Sequence, residues 1–407
     1  MPEKEVSPAR FVGLDVHKHY LVAVAVDPAK NEVMPPRRVP LAHLDDWVRK
    51  NLTPQDAVVL EMTTNTFQLY DDLLSHVHSV TVVHPPHVAL ITRAQVMTDK
   101  IAARTLARLH AAGLLPSVWV PPAEVRDHRA LVAQRAKMMR LATQARNRLH
   151  AVLHRHHILP PGGDPFTPDK HPWWLALNIS ALERARVQSD LATLLFAWGQ
   201  VDILEEAMAV LASQDERSVL LLQLPGIGLI TAITLLAAIG DVSRFPTAGH
   251  LVGYAGLGGR VHDSGLTHRS GRITKAGRRD IRAAMVEAAH TACRTHPHWQ
   301  AELARLEPRL GKNKAIVAIA RKLLVAVWHI LTKGEADRYA TAERTARKLL
   351  QHAYRLGHEN RQGQSPAQYV REQLDRLGVG ADLAAVPWGK NRLLALPPSS
   401  MKEAAES

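Results

Sequence analysis

Residues 11–27 read Phe-Val-Gly-Leu-Asp-Val-His-Lys-His-Tyr-Leu-Val-Ala-Val-Ala-Val-Asp. Two apolar runs rich in strand-forming residues flank a short polar turn, which is the pattern of a β-hairpin. Asp15 interrupts the first run. A carboxylate inside an otherwise buried strand is costly unless it has a partner or a task; the alternative is a solvated acid on an edge strand. The segments that follow alternate. Leu41, Leu44, Trp47 and Val48 recur at helical spacing and predict a helix over Leu41–Leu52. A buried strand over Ala57–Met62 carries Glu61 at its end. A helix through Phe67–His76, a strand at Val80–Val83 and a helix opened by Thr98-Asp99 complete the series. Thr98 reads as the N-cap of that last helix, and Asp99 in the first turn suits the helix dipole. Capping is thus the structural role to set against a functional one. The series makes an α/β domain with one acid mid-strand, one at a strand end and one at the start of a late helix. Carboxylates converging on one edge of a sheet bind Mg2+ or Mn2+ through hard oxygen ligands. Such ions activate a water or hydroxyl and stabilise the leaving oxygen in phosphodiester chemistry.

Residues 124–157 form a long helical stretch. Leu131, Met138, Ala145 and Val152 recur every seven residues, with Ala142 and Leu149 as a second row, the seam of a coiled coil or long helical hairpin. The other faces carry Arg129, Arg135, Lys137, Arg140, Arg146, Arg148 and Arg155, and no acid lies between Arg129 and His157. Such a helix repels itself. A phosphate backbone would relieve it; the plainer reading is a solvated face. The whole chain shares the bias, with 51 Lys+Arg against 38 Asp+Glu and a net charge of +13. That balance points to a polyanionic partner, nucleic acid before a membrane surface.

Pro160-Pro161-Gly162-Gly163 breaks the helix, and helices around Leu182–Phe196 and Val201–Leu211 are expected to return antiparallel. A new domain begins near 218. Its Leu224-Pro225-Gly226-Ile227-Gly228 lies between two apolar helices and resembles a helix-hairpin-helix turn, whose backbone N–H groups grip phosphate; an ordinary interhelical turn fits as well. Residues 263–279 then place Ser264 and Ser270 among Gly265, Gly271, Gly277 and five basic residues: Arg269, Arg272, Lys275, Arg278 and Arg279. Glycines let a backbone approach a bulky anion, arginines fork onto phosphate oxygens, and a serine here suits attack on a phosphodiester. A basic loop that only grips a nucleic-acid backbone is the alternative. Helices follow to about Gly334. Beyond 335 the chain is helical in pieces, with Ser365-Pro366 opening a helix through Leu377 and a frayed tail at the end.

The single cysteine, Cys293, excludes an internal disulfide and a multi-cysteine zinc site. The 23 histidines include no pair in a zinc pattern and read as surface or core residues. The longest apolar run, near Leu229–Ile239, is too short to span a membrane, and the N-terminus lacks the apolar core of a signal peptide. An intracellular, soluble protein is expected.

Five motifs in order carry a family resemblance: Gly13-Leu14-Asp15-Val16-His17-Lys18, Leu60-Glu61-Met62-Thr63, Thr98-Asp99-Lys100-Ile101-Ala102-Ala103, Leu224-Pro225-Gly226-Ile227-Gly228, and Ser264-Gly265 followed by Gly271-Arg272-Ile273-Thr274-Lys275-Ala276-Gly277. Over roughly residues 11–310 the chain resembles the bridge-RNA-guided insertion-sequence transposases, with their RuvC-like DEDD domain and serine-bearing C-terminal domain. The resemblance implies an α/β RNase H-like (RuvC-like) domain at 8–123, a helical coiled-coil arm at 124–216, a mainly α serine transposase domain at 217–334 and a helical extension at 335–407. It implies that Asp15, Glu61 and Asp99 are catalytic and hold Mg2+ or Mn2+, and that Ser264 is the nucleophile forming a covalent 5′-phosphoserine link. Arg129, Arg135, Arg140, Arg146 and Arg148 would bind nucleic acid, as would Arg269, Arg272, Lys275, Arg278 and Arg279. The implied partners are a guide (bridge) RNA, target and donor DNA, and further copies of the chain in a dimer or tetramer. The implied location is the cytoplasm of a bacterium or archaeon, at the nucleoid.

One position departs from the family's pattern. The third motif carries a second acid three residues after the first, and here that position is Ala102. The chain is therefore either an inactivated form or a variant that uses another ligand. A RuvC-like nuclease acting by hydrolysis and a non-catalytic nucleic-acid-binding form are the alternative functions.

Overall fold

The two apolar runs on either side of Lys18 form antiparallel strands β1 (Arg10–Val16) and β2 (Tyr20–Val26), as their patterning predicts. The computed structural model describes residues 7–92, 98–264, 267–389 and 392–401, with side chains undescribed at 89–92 and 261–270. It divides into two units, Met1–Pro121 and Pro122–Ser407.

In the first unit the chain continues through β3 (Glu32–Pro40), α1 (Leu44–Asn51), β4 (Asp56–Glu61), α2 (Thr66–Leu74), β5 (Ser79–Val83), α3 (Pro85–Thr92) and α4 (Asp99–Ala111). The mixed sheet has the order β3-β2-β1-β4-β5, with β4 and β5 joining parallel. Strand β3 was not expected, because Pro35, Pro36 and Pro40 obscure it and only Met34 and Val39 are buried. Proline is tolerated there because the strand lies at the sheet edge. One face of the sheet packs Val12, Leu14, Val58 and Leu60 against Leu69 and Leu73. Helix α4 covers part of the other face, with Ala103 beside Val22 and Val24. A Cβ on Gly13 would overlap the Ala103 carbonyl and lie 2.6 Å from Ala107 N, so glycine lets the helix backbone rest on β1. Buried Asp56 fixes the start of the sheet. It accepts from Arg10 Nε at 2.7 Å and Nη2 at 2.6 Å, and from Thr53 N at 2.7 Å.

The second unit opens with α5 (Ala123–Arg155), the short α6 (His171–Leu175) and α7 (Ala181–Gln214). The two helices expected over 182–211 are one. Gly199 costs on the order of 1 kcal/mol in a helix, but buried Leu194, Ala197 and Val201 continue the seam past it. In α5 the buried Met138, Ala142, Ala145, Leu149 and Val152 alternate spacings of four and three, as the sequence repeat predicts. Ion pairs Arg155–Glu183, Arg148–Asp190 and Arg135–Glu205 show that α5 and α7 run antiparallel.

Next come α8 (Glu216–Leu222), α9 (Leu229–Ile239), α10 (Ala248–Tyr254), β6 (Gly259–Ser264), β7 (Thr267–Ile273), α11 (Arg279–Thr295), α12 (Pro297–Leu310) and α13 (Lys312–Lys333). The basic serine segment, read as a loop, is thus a two-stranded antiparallel hairpin. Helix α13 is long and apolar enough to cross a membrane, which corrects the expectation that no segment is. Its Ile316, Ile319, Leu323, Leu324 and Val327 are buried in the core of this unit, together with Leu235 and Met285. The chain closes with α14 (Ala342–Asn360, broken at Gly357), α15 (Pro366–Arg376), β8 (Ala385–Trp388) and β9 (Arg392–Ala395). Ser365 caps α15 with a full capping box, as expected. The β8–β9 hairpin was not foreseen.

Candidate functional site

The register of the central strands brings two of the expected acids level. Leu14 pairs with Leu60 across β1 and β4, so Asp15 stands beside Glu61 on the neighbouring strand. The third arrives on α4. Thr98 caps that helix, its hydroxyl accepting from Ile101 N at 3.4 Å, and the approach at Gly13 brings the first turn of α4 onto the sheet. Asp99 is therefore both a first-turn acid and a member of the cluster.

Two residues missed by sequence reasoning complete the cluster. His17 Nε2 lies 3.3 Å from Asp15 Oδ2 and 3.4 Å from Asp99 Oδ2. That nitrogen is buried and makes no hydrogen bond. Tyr20 donates its hydroxyl to Asp99 Oδ2 at 2.9 Å and stacks on His17, with ring centroids 4.6 Å apart. Arg38 covers the Tyr20 ring at 3.7 Å. One ligand atom each from Asp15, His17 and Asp99 fall within 4.8 Å of one another. The signal for His17 was its position two residues past Asp15, the strand repeat that returns side chains to one face.

The electrostatics fit a cation. Burial raises the Asp15 carboxyl above its ordinary range; His17 counters the rise and the charge of Asp99 adds to it. Burial also raises Glu61, and the charge of Asp15 adds to the effect. Half-buried carboxylates that oppose one another, around an imidazole nitrogen that makes no hydrogen bond, form a donor set for a divalent metal ion. Ala102 sits one turn along α4 from Asp99 and offers no ligand. Its amide is spent on the Thr98 carbonyl at 2.8 Å.

Ser264 ends β6, and the strand register pairs it with Thr267. Its side chain, like those of Arg269 and Ser270, lies outside the described residues, as does all of Gly265. Arg272, Lys275 and Arg279 are exposed. Arg278 is tied to Asp280, its Nε donating to Oδ1 at 3.0 Å. Gly277 (φ 121°) permits a close backbone contact. A Cβ there would overlap the Tyr254 carbonyl, which also accepts from Arg278 N at 2.8 Å.

The arginines of the long arm correct the repulsion argument. For Arg135, Arg148 and Arg155 an acid is supplied by α7. Arg135 Nε donates to Glu205 at 2.8 Å and Arg148 Nε to Asp190 at 2.7 Å; Arg146 lies 3.9 Å from Asp164 in the following loop. Arg129 donates to the carbonyls of Ala237 and Ala238, both at 2.8 Å, at the C-terminal end of α9. Arg140 is exposed. The Pro225-Gly226 turn faces inward. Leu224, Pro225 and Ile227 are buried, and a Cβ on Gly226 (φ 82°) would overlap the Ala288 carbonyl. Lys348 Nζ donates to Leu222 O at 2.7 Å and Leu224 O at 2.6 Å, and burial lowers its pKa to about 7.

Comparison with known proteins covers both halves of the chain. Residues 12–158 match the family model of DEDD-type IS110 transposases, and residues 218–304 match that of the IS116/IS110/IS902 transposase family. The chain is 30% identical over 269 residues to a pilin gene-inverting protein of Moraxella lacunata, covering 64% of this chain and 75% of that protein. It is 27% identical over 337 residues to a pilin gene-inverting protein of Moraxella bovis, covering 80% and 96%. It is also 24% identical over 343 residues to the transposase for insertion sequence element IS1111A of Coxiella burnetii, covering 82% and 93%.

Proposed function

The chain belongs to the IS116/IS110/IS902 family of transposases, and we propose that it recombines the DNA of an insertion sequence through a covalent phosphoserine link. The observation that carries this reading is the cluster of Asp15, His17 and Asp99 within 4.8 Å, on the segment that matches a DEDD transposase model. In this reading the first unit is an RNase H-like (RuvC-like) domain whose Asp15, Glu61 and Asp99 bind Mg2+ or Mn2+. His17 occupies the vacancy that Ala102 leaves in the ligand set. Bound there, the ion would stabilise charge on the reacting phosphate and on the leaving oxygen.

Ser264 Oγ attacks the phosphorus of a DNA strand. The new Oγ–P bond forms as the bond to the 3′-oxygen breaks, and the serine proton is balanced by the proton gained at the 3′-hydroxyl. A second 3′-hydroxyl reverses the step and regenerates the serine, so strands are exchanged without ATP. The exposed Arg272, Lys275 and Arg279 suit phosphate contacts on the hairpin that carries Ser264. Residues 8–123, 124–216, 217–334 and 335–407 act as catalytic domain, coiled-coil arm, serine domain and extension. A guide RNA selects target and donor DNA, and serine and acidic site meet across protomers of a dimer or tetramer. Acting on an insertion sequence, the protein would work at the nucleoid in the cytoplasm of a bacterium or archaeon.

The test compares this chain, Ala102→Asp, and Ala102→Asp with Ser264→Ala, each incubated with Mg2+ or Mn2+, guide RNA and matched DNA on a denaturing gel. A protein–DNA adduct in the first two that vanishes in the third is the expected result. Strand cleavage without adduct would replace phosphoserine chemistry with hydrolysis. An adduct that survives Ser264→Ala moves the nucleophile to another residue, Ser270 first.

A further inference from the structure

Below the β6–β7 hairpin the second unit contains a groove of about 1730 Å3. Helix α13 forms its long wall. Lys314, Val317, Ala318, Arg321, Val325 and His329 line it at helical spacing, and the lining continues to Lys333. From Lys314 to Lys333 the helix rises about 28 Å, the span of several nucleotides. The buried residues of α13 belong to the apolar core, and Val317, Ala318, Val325 and Ala326 pack at its margin while lining the groove.

The groove is strongly cationic. Arg272 and Lys275 from the end of the hairpin, Arg309 from α12, and Lys314 and Arg321 from α13 all line it and are exposed. None of these five forms an ion pair with an acid among the described residues. The acids nearby are partly engaged. Glu302 is held by Arg305 and Lys322, which bring its pKa down to about 2, and Asp337 accepts from Tyr339 N at 3.1 Å. Between the charges the floor is apolar and half-buried, at Val317, Ala318, Val325 and Ala326. At one end His298 and Tyr339 stack with centroids 3.9 Å apart and planes 14° apart, and exposed Arg338 lies 4.8 Å over the tyrosine ring.

A duplex presents phosphates to a groove and keeps its bases inside. A single strand presents both. An apolar floor, a ring stack covered by a guanidinium and a row of unpaired cations match the second case. We propose that this groove seats a single nucleic-acid strand, its phosphates along Arg272, Lys275, Lys314 and Arg321 and its bases on the apolar floor and the His298–Tyr339 stack. The inference rests on the reading of the chain as a nucleic-acid enzyme and adds where an unpaired strand lies. The groove meets the hairpin at Gly259, Gly271, Arg272 and Ile273, the end of the ladder away from Ser264.

The test needs no cleavage, so its outcome stands apart from that of the phosphoserine reading. Fluorescence anisotropy of the full chain would follow labelled single strands of oligo-dT and oligo-U and a mixed-sequence duplex of equal length, across a salt series. The variants are Lys314→Ala with Arg321→Ala, and Tyr339→Ala, each checked by its thermal melt. The double variant should lose about tenfold or more in single-strand affinity and flatten the salt slope by about 1.4, or 0.7 per phosphate contact. Tyr339→Ala should weaken single-strand binding roughly 5- to 100-fold with an unchanged slope, and neither variant should alter duplex binding. Loss with oligo-U alone assigns the strand to RNA, and equal loss with both assigns the groove to either nucleic acid. Single-strand affinity unchanged in folded variants, or duplex binding that falls as far as single-strand binding, would overturn the proposal.

Discussion

The Tyr20 hydroxyl donates to Asp99 Oδ2 at 2.9 Å while the Tyr20 ring stacks on His17. One side chain thus orients two of the three residues that can share a cation. Outer-shell partners of this kind set ligand direction, and their loss costs about 10–100-fold in metal affinity. Tyr20→Phe keeps the ring and removes only the donor. Its Mn2+ affinity by calorimetry should fall by about tenfold or more, while the metal-free melting temperature stays at the parental value. A Tyr20→Phe protein that binds Mn2+ like the parent would remove Tyr20 from the site.

His17 makes a sharper prediction through its pairing with Ala102. If imidazole occupies the place of the missing carboxylate, His17→Ala should weaken Mn2+ binding by at least about the tenfold seen for outer-shell losses, and Ala102→Asp added to His17→Ala should restore it. Nitrogen coupling in the electron paramagnetic resonance of bound Mn2+ should be present in the parent and absent from both variants. Full affinity and no nitrogen coupling in the parent would return His17 to the role of a neighbouring charge.

Asp15 and Glu61 have pKa values raised by burial, each also raised by another carboxylate of the cluster. A raised folded pKa means the native state binds protons more tightly than the unfolded chain. The stability this contributes is present in acid and is lost as pH rises through the folded values. At pH 7 the metal-free site is therefore a strained one. Asp15→Asn should raise the metal-free melting temperature at pH 7 and leave it nearly unchanged near pH 4. Mn2+ should stabilise the parent more at pH 7 than at pH 5, because protons compete for the same oxygens. A metal-free Asp15→Asn protein that melts below the parent at pH 7 would contradict this account.

The strands that carry Asp15 and Glu61 and the capped helix that carries Asp99 were legible, because apolar alternation and an N-cap are local signals. What escaped depended on residues distant in sequence or on patterns that resemble something else. Prolines hid β3, which only its edge position tolerates. Glycines and arginines made β6 and β7 read as a loop, with no apolar alternation to reveal a ladder. His17 lies just past the end of β1, and its partner Asp99 comes after seven intervening elements of the sheet domain. Arg135, Arg148 and Arg155 looked unneutralised because their acids come 28 to 70 residues later, on α7.

Gly13 tests how the sheet and α4 assemble the acidic site. A Cβ there would meet backbone, the Ala103 carbonyl and Ala107 N, rather than a side chain able to move aside. Gly13→Ala should cost about 1–3 kcal/mol, the usual penalty of overpacking, measured by chemical denaturation. Because the helix must shift, Mn2+ affinity should fall with it even though no ligand is altered. A variant of parental stability and parental Mn2+ affinity would show that α4 need not lie against β1 at this position.

Arg129 separates basic residues that hold the fold from those that can meet a phosphate. Its Nε and Nη2 donate to the Ala237 and Ala238 carbonyls, each at 2.8 Å. Arg217 reaches the Gly240 carbonyl at 3.0 Å and Arg244 the Ile239 carbonyl at 2.9 Å, so three cations converge on the negative end of α9. Arg129→Met keeps the aliphatic stem and removes the charged donors, leaving two partly buried carbonyls without them. It should cost about 1.5–3 kcal/mol for the lost charged hydrogen bonds, with no change in the salt slope of DNA binding. Exposed Arg140 should behave in the opposite way, with Arg140→Ala leaving stability intact and lowering the slope by about 0.9, the share of one duplex phosphate. An Arg129→Met protein that keeps its melting temperature and loses salt-dependent affinity would return Arg129 to the nucleic-acid interface.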